Sequence, residues 1–268
     1  MITDRNTIKR YYRFLPQVQA DHIQTIMRLS PGSKAFVQPL SSGMAVADGA
    51  GTFITEINGW GLGEAPVTDQ EIDDTLALYE AVGFSPQIEL STFADLTLFR
   101  RLEDRGFRLQ TWIVASGRPV REGDQTPMLP EGIVFRKTRE DECEAWSKLV
   151  ALGFEDLDGG DVDENTLDIG RGVFHHPHTV TFTAEIDGIP AGASAIVIND
   201  GVGYMASAST LPKYRNRGIQ GGMMSIRIAE AAKAGVPEVL HQTSLGSASH
   251  RNALRSGMES LFVSAYLK

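Results

Sequence analysis

Residues 210–224 read Thr-Leu-Pro-Lys-Tyr-Arg-Asn-Arg-Gly-Ile-Gln-Gly-Gly-Met-Met. This stretch joins residues 203–210, which alternate like a strand, to a segment with a helical period. Glycines stand where the helix begins, and such a start offers backbone N–H groups that have no intrahelical partner. Lys213, Arg215 and Arg217 add positive charge. The pattern predicts a binding site for an anion such as a phosphate.

The segments around this stretch predict the order βααβββαβαβ. The predicted strands are 133–137, 179–186, 191–198, 203–210, 238–242 and 261–267. The predicted helices are 141–152, 166–174, a helix that ends at 234, and 249–255. The pair Asp187-Gly188 is typical of a two-residue hairpin turn between the second and third strands.

The quoted stretch resembles motif A of the GNAT superfamily of acyl-CoA N-acyltransferases, whose pattern Gln/Arg-x-x-Gly-x-Gly/Ala follows the fourth strand. Here the pattern falls on Arg215–Gln220, with Gln220 where Gly or Ala is usual and Gly221 directly after it. The element order over 133–268 also matches that fold. The resemblance implies an α+β fold (α/β mixed), with a mixed central sheet flanked by helices.

The resemblance further implies acetyl-CoA, or another acyl-CoA, as acyl donor. The pyrophosphate would lie on the amides of 217–222, and the pantetheine arm along the edge opened between strands 203–210 and 238–242. A backbone N–H near Leu211 would polarise the thioester carbonyl. The implied cofactor-binding residues are Thr210, Leu211, Arg215, Asn216, Arg217, Gly218, Ile219, Gln220, Gly221, Gly222 and Asn252.

Two positions depart from the family. The tyrosine that protonates the leaving thiolate in many members aligns with Ala253, and the usual asparagine near the start of that helix aligns with Gly246. Asn252 is a nearby polar replacement that we expect to touch the cofactor. The departures leave two alternatives to an N-acetyltransferase: a catalytically inactive CoA-binding sensor, and an interaction scaffold with a vestigial loop.

The catalytic candidates are Leu211, His241 and Tyr204. His241 lies on the strand that flanks the expected cleft, where it could act as a general base. Tyr204, on the neighbouring strand, is a candidate of the same kind. A core or surface histidine is the alternative reading of His241.

An acidic loop within 154–168 carries seven carboxylates. In the family this region commonly borders the acceptor site, so we expect a small-molecule amine or a peptide amine as acceptor, with a cationic one favoured. A solvated surface loop is the alternative.

No metal site is predicted. The sequence His175-His176-Pro177-His178 precedes a strand without a further cluster of ligands, and the acidic loop lacks the EF-hand spacing. Cys143 is the single cysteine, so the chain cannot form an intrachain disulfide. We expect Cys143 to be a small buried side chain.

We expect three parts: a degenerate GNAT-like domain over 1–116, a linker over 117–132 and a catalytic domain over 133–268, making two tandem GNAT-like domains. The first part shows helices from Thr3 to Phe14 and over 17–29, strands over 35–47, 52–57, 87–90 and 107–115, a Thr68–Glu71 capping box, and a helix capped by Asp95. The glycine-rich run 59–63 has no basic residues, which argues against a phosphate site. Arg105-Gly106-Phe107 and Ser256-Gly257-Met258 each precede a final strand and suggest a divergent duplication.

The 268 residues carry a net charge of −9, with 42% hydrophobic and 22% charged residues. An acidic chain disfavours nucleic acid and anionic membranes as partners, because both require a positive field. No run approaches the length of a membrane span, and no apolar region follows the basic N-terminus. We expect a cytoplasmic monomer or homodimer.

Overall fold

The computed structural model describes residues 5–268, so the predicted cap at Thr3 lies outside the described residues. The α-helices are α1 (Arg5–Leu29), α2 (Asp69–Val82), α3 (Leu96–Asp104), α4 (Cys143–Phe154), α5 (Glu164–Phe174), α6 (Ile219–Lys233) and α7 (Ala248–Arg255). The strands are β1 (Phe36–Pro39), β2 (Met44–Ala47), β3 (Glu56–Asn58), β4 (Gln87–Ser91), β5 (Leu109–Pro119), β6 (Val134–Lys137), β7 (Thr179–Ile186), β8 (Ile189–Asn199), β9 (Val202–Thr210), β10 (Glu238–Ser244) and β11 (Glu259–Leu267). None of these helices is both long and apolar enough to cross a membrane.

The chain forms two compact units that are not consecutive halves. Unit 1 contains the residues up to Ala115 together with 243–245 and 261–268, and unit 2 contains 116–242 and 246–260. Part of the expected linker over 117–132 has regular structure or defined contacts. Strand β5 continues to Pro119, Val120 then donates its N–H to the carbonyl of Pro237, and the Arg118 side chain pairs with Asp124. The final strand belongs to unit 1 because β11 pairs with β4 there.

Unit 1 contains the strand order β1-β2-β3-β4-β11, in which β3 and β4 are parallel and the other pairs are antiparallel. One face of these strands is apolar and packs with residues of α2 and α3 such as Ile72, Tyr79 and Leu98. The predicted single run 35–47 is two strands, because Gly43 adopts a φ of 80° and turns β1 back onto β2.

Helix α1 runs without a break through Pro16, so the prediction of two separate helices is wrong. Proline removes one i→i−4 hydrogen bond, which usually ends a helix. Here Leu15, Ile23 and Ile26 on either side of the proline form one buried apolar stripe. Their packing as a single face outweighs the loss of one backbone hydrogen bond.

Unit 2 contains the strand order β10-β9-β8-β7-β6, in which β9 and β10 are parallel and the other pairs are antiparallel. Met223 and Ile228 of α6 belong to one core cluster, and Trp146 and Leu149 of α4 belong to another. The observed boundaries agree with the predicted element order of this half within a few residues. The succession β9–α6–β10–α7 repeats the succession β3–α2–β4–α3 of unit 1.

Candidate cofactor site

Strands β9 and β10 pair over a short distance and then separate. Their register consists of three positions, the last of which joins Tyr204 to Leu240. Strand β9 nevertheless continues to Thr210. Its last residues therefore offer one edge that β10 does not occupy.

A bulge accompanies this separation. Ser194 on β8 faces Ala208, whereas the next residue, Ala195, faces Ala206, so that Ser207 is an extra residue on β9. Ser207 has a φ of 23°, outside the range of regular strands. A bulge of this kind bends the strand that carries it. The bend lies at Ser207, three residues beyond the last position of β9 that pairs with β10.

A cavity of about 620 Å³ opens beside the separated end of β9. Its walls come from β9, the first turn of α6 and the exposed side of α7. Eight of the eleven predicted cofactor residues line it: Thr210, Arg215, Asn216, Gly218, Ile219, Gln220, Gly221 and Asn252. Gly222 lines a neighbouring cavity, and Leu211 and Arg217 line neither.

The neighbouring cavity, of about 530 Å³, lies along α6, α7 and the segment 118–130. It shares Gly218, Gly221, Asn252 and Arg255 with the first cavity. The two cavities therefore meet at the start of α6.

The N-terminus of α6 has the properties of an anion site. Gly218 precedes the helix with a φ of 86°, no side chain caps it, and its first turn contains no acidic residue. The first backbone hydrogen bond of the helix runs from Gly222 N–H to Gly218 C=O. The N–H groups of residues 219–221 consequently lack an intrahelical partner and carry the positive end of the helix dipole.

The glycines at this turn have different roles. A Cβ added to Gly221 would meet no atom within 4 Å, so this position leaves room for a ligand close to the backbone. A Cβ on Gly222 would lie 2.2 Å from the ring of Phe135. Gly222 is therefore required for packing between α6 and β6, and its N–H already bonds to the carbonyl of Gly218.

The basic side chains of the loop also differ. Arg215 lies 2.5 Å from a carboxylate oxygen of Asp156 and donates to the carbonyls of Gly153 and Thr210, so it holds the loop rather than projecting freely. Arg217 is exposed, with its guanidinium 5.7 Å from the ring centre of Tyr214. Arg217 is thus the arginine that remains available to an anion.

The N–H of Leu211 does not face the separated edge. It donates to the carbonyl of Ala191 at 3.0 Å, and its side chain is buried. Because N–H groups alternate between the two edges of a strand, the N–H of the preceding residue, Thr210, points toward the open side. The N–H of Leu211 itself is therefore not available as the expected donor.

His241 and Tyr204 do not form an acid–base pair at the cavity. His241 is buried, and burial, followed by the charges of Arg227 and His250, lowers its pKa to about 3. A histidine with this pKa is neutral but a weak base near pH 7, which argues against the expected general-base role. Tyr204 lies on the paired part of β9 and lines neither cavity.

The position expected for a thiolate acid holds no acid. Ala253 is fully buried in the apolar cluster beneath α7. Asn252, one residue earlier, lines both cavities, and Ser249 lines the first and lies 3.3 Å from Nε2 of His241.

Most carboxylates of the acidic loop contact groups of the protein. Beyond Asp156, the Asp158 carboxylate accepts the N–H of Lys213 at 2.8 Å, and Asp163 caps α5. Glu164 and Asp168 both pair with Arg171. Most carboxylates of the loop therefore take part in contacts that hold the local structure.

Helix α2 of unit 1 corresponds to α6, and groups of the protein itself occupy its N-terminus. The Thr68 side chain caps α2 by accepting the N–H of Glu71, and the first turn carries Asp69 and Glu71. Of the two hydrogen bonds of the predicted capping box, only the one accepted by the Thr68 side chain forms. The Glu71 carboxylate instead accepts from Trp60 Nε1 at 2.9 Å and from Ser41. Trp60 is fully buried. These features leave no place for an anion at α2.

No cluster of three or more metal-ligating side chains occurs in the described part of the chain. In the histidine-rich turn, Nδ1 of His176 accepts the N–H of His178. Cys143 is half-buried, and burial raises the pKa of its thiol.

No family model matches the sequence, and no curated protein matches it. Solved structures are similar in fold. A GCN5-related N-acetyltransferase from Kribbella flavida has a TM-score of 0.63 at 17% identity, with 95% of each chain covered. One from Sphaerobacter thermophilus has a TM-score of 0.55 at 18% identity, over 74% of this chain and 64% of that chain. A tandem GNAT protein from the clavulanic acid biosynthesis pathway has a TM-score of 0.58 at 10% identity, over 92% and 86%.

At these identities the likeness concerns the fold. It agrees with the separation of β9 from β10, the uncapped start of α6 and the repeated strand–helix succession. The predicted fold class is confirmed. The chain has the mixed α+β fold of the GNAT superfamily.

Proposed function

We propose that unit 2 is an acyl-CoA-dependent N-acyltransferase, with acetyl-CoA as the simplest donor. The observation that carries the proposal is the uncapped N-terminus of α6 beside the separated edge of β9. A helix start binds phosphate, and an open strand edge binds the amide groups of an extended chain such as pantetheine. Coenzyme A contains both groups, because its pyrophosphate is joined directly to the flexible pantetheine arm.

In this proposal the pyrophosphate accepts hydrogen bonds from the N–H groups of 219–221, with Arg217 adding charge from outside. The pantetheine arm lies along Ala208–Thr210. The N–H of Thr210 points toward the same side and would donate to the thioester carbonyl as negative charge develops on its oxygen.

The reaction would be a direct transfer. The neutral amine attacks the thioester carbon, a C–N bond forms, and the C–S bond breaks to release coenzyme A as a thiolate. The proton lost by the amine passes to solvent, since the pKa of His241 is about 3 and this histidine is a weak base. The thiolate takes a proton from solvent if it is protonated, since Ala253 offers no acid. The thiolate is stable enough as a leaving group for turnover without a dedicated acid.

For the acceptor we propose a primary amine on a small molecule or a peptide. Glu155 and Asp161 remain exposed on the acidic loop next to Asp156 and would favour a cationic acceptor. The loop reaches the cofactor site through Asp156 and Arg215, so an acceptor bound there would lie near the donor.

A second candidate function is a CoA-binding sensor without catalysis. It is favoured by one observation: the site has neither an acid at Ala253 nor a histidine able to hold a proton at neutral pH. The sensor and the enzyme share the donor site and differ only in turnover.

Two measurements test these functions. Thermal unfolding with and without acetyl-CoA should show stabilisation for both candidates, and no stabilisation would exclude both. Release of free thiol from acetyl-CoA is then measured with polyamines, amino acids, aminoglycosides and basic peptides. Release above background with one of these amines supports the enzyme, and binding without release across the panel supports the sensor.

A further inference from the structure

Arg227 of α6 is a buried cation that pairs with no carboxylate of residues 5–268. About 1% of its surface is exposed. Its Nε donates to the carbonyl of Met223 at 3.0 Å, and its Nη1 donates to the carbonyls of Ala195 at 3.2 Å and Ala206 at 3.1 Å. Burial lowers its pKa to about 9.

Burying such a charged group in a protein core costs free energy. A buried charge without a counter-ion opposes folding, and an apolar residue of similar volume often stabilises a protein more. Stability therefore does not account for an arginine at this position. The identity of its acceptors indicates where it acts.

Both strand carbonyls belong to the bulge. Ala195 on β8 faces Ala206 on β9, and the next residue of β9 is the extra one, Ser207. A bulge interrupts the ladder and leaves backbone groups without their usual partners. The guanidinium of Arg227 donates to both strands at this interruption, so it stabilises the irregular register over a regular one.

The bulge lies beside the point where β9 leaves β10. The last paired residue, Tyr204, comes two positions before Ala206, and the cavity begins at Ala208. A strand without the bulge would keep its straight course and could continue to pair with its neighbour. The extra residue thus favours the separated edge over a closed one.

We propose that Arg227 is a positioning residue that fixes the bulge at Ser207 and thereby keeps the edge of β9 open to its ligand. The identity of that ligand, an acyl-CoA, rests on the proposed function. The effect of Arg227 on β9 does not rest on the proposed function, because it concerns the protein without any ligand.

The test combines hydrogen exchange with calorimetry on the full chain. Arg227→Met removes the donors and the charge at similar volume. We expect amides within 202–210 to exchange about tenfold more slowly as β9 pairs further, and the Kd for coenzyme A to rise about tenfold or more. Arg227→Lys keeps the charge but replaces the fork of donors with one ammonium group, so its Kd for coenzyme A should lie between those of the wild type and Arg227→Met.

Val239→Ala is the matched control. It creates a small cavity in the same core on β10 and leaves the acceptors of Arg227 intact, so the melting temperature should fall while the Kd for coenzyme A stays within about twofold. If Arg227→Met does not fold, Arg227→Gln, which is too short to reach both strands, takes its place.

The proposal is overturned if a folded Arg227→Met or Arg227→Gln variant exchanges like the wild type within 202–210. It is equally overturned if exchange changes and coenzyme A binding does not. A wild-type protein that does not bind coenzyme A would instead refute the proposed function, and the exchange data would still decide whether Arg227 fixes the bulge.

Discussion

The side-chain amide of Gln220 donates a hydrogen bond to Oγ1 of Thr210 at 2.8 Å. This bond joins the first turn of α6 to the last residue of β9, the two elements that border the first cavity. Gln220 stands where the motif usually has glycine or alanine, neither of which has a side chain able to make this contact. The departure from the motif therefore has a structural reason: it ties the start of α6 to the strand edge.

Removing this bond should weaken coenzyme A binding. A hydrogen bond of this kind contributes about 1 kcal/mol, so Gln220→Ala should raise the Kd about fivefold in calorimetry. Gln220→Glu replaces the donor with a negative charge and should raise the Kd further. Its melting temperature should not fall, because a carboxylate stabilises a helix N-terminus. Equal affinity of the three proteins would contradict the role given to this bond.

Arg217→Glu should abolish the thermal stabilisation by acetyl-CoA, since it places a carboxylate beside the proposed pyrophosphate site. The matched control is Lys148→Glu on the exposed side of α4, which changes the net charge equally at a residue outside the loop that precedes α6. The control should keep the stabilisation. Undiminished stabilisation of Arg217→Glu would refute the assignment of this loop.

Two adjacent glycines should respond to alanine in opposite ways. Gly221→Ala meets no atom and improves helix propensity, so the free energy of unfolding should rise by about 0.5–1 kcal/mol, while its methyl group should weaken coenzyme A binding. Gly222→Ala would strike the ring of Phe135 and should lower the free energy of unfolding by about 1–3 kcal/mol. Chemical denaturation measures both. The same sign for both variants would contradict the assigned roles.

Unit 1 should lose stability as pH rises. Burial, with a smaller contribution from Glu89, raises the pKa of Glu56 from 4.5 to about 7, while the Tyr266 hydroxyl donates to its carboxylate at 2.6 Å. The native state holds this proton up to about pH 7, whereas the unfolded chain releases it near pH 4.5. The contribution of the protonated Glu56 carboxyl to the stability of unit 1 is therefore complete below pH 4.5 and is lost as pH rises through 7.

Glu56→Gln should remove this dependence and be more stable than the wild type at pH 8, by roughly 3 kcal/mol. Urea denaturation at pH 5, 6.5 and 8 measures the difference, and other titrating groups cancel in the comparison. Glu80→Gln, on the exposed side of α2, controls for removal of a carboxylate. Parallel curves for Glu56→Gln and the wild type would refute the assignment.

Much of the site could be predicted because its signals are local. A glycine-rich helix start after a strand is readable from consecutive residues, and seven of the predicted residues in that stretch line one cavity. The N-caps at Thr68 and Asp95 were readable for the same reason, since a cap bonds to the backbone two or three residues away. The partners of the Glu71 carboxylate could not be predicted in this way, because Trp60 and Ser41 lie far from Glu71 in sequence.

The sequence by itself determined the order of strands and helices over 133–268 and the uncapped, basic start of α6, because these depend on side-chain period and on neighbours within one turn. Tertiary structure decided which N–H of β9 faces the cavity, which glycine is needed for packing and which arginine remains available. It also decided that β11 pairs in unit 1 and that Arg227 donates to the bulge. Each of these depends on contacts between residues distant along the chain, and a local pattern does not specify which partners meet.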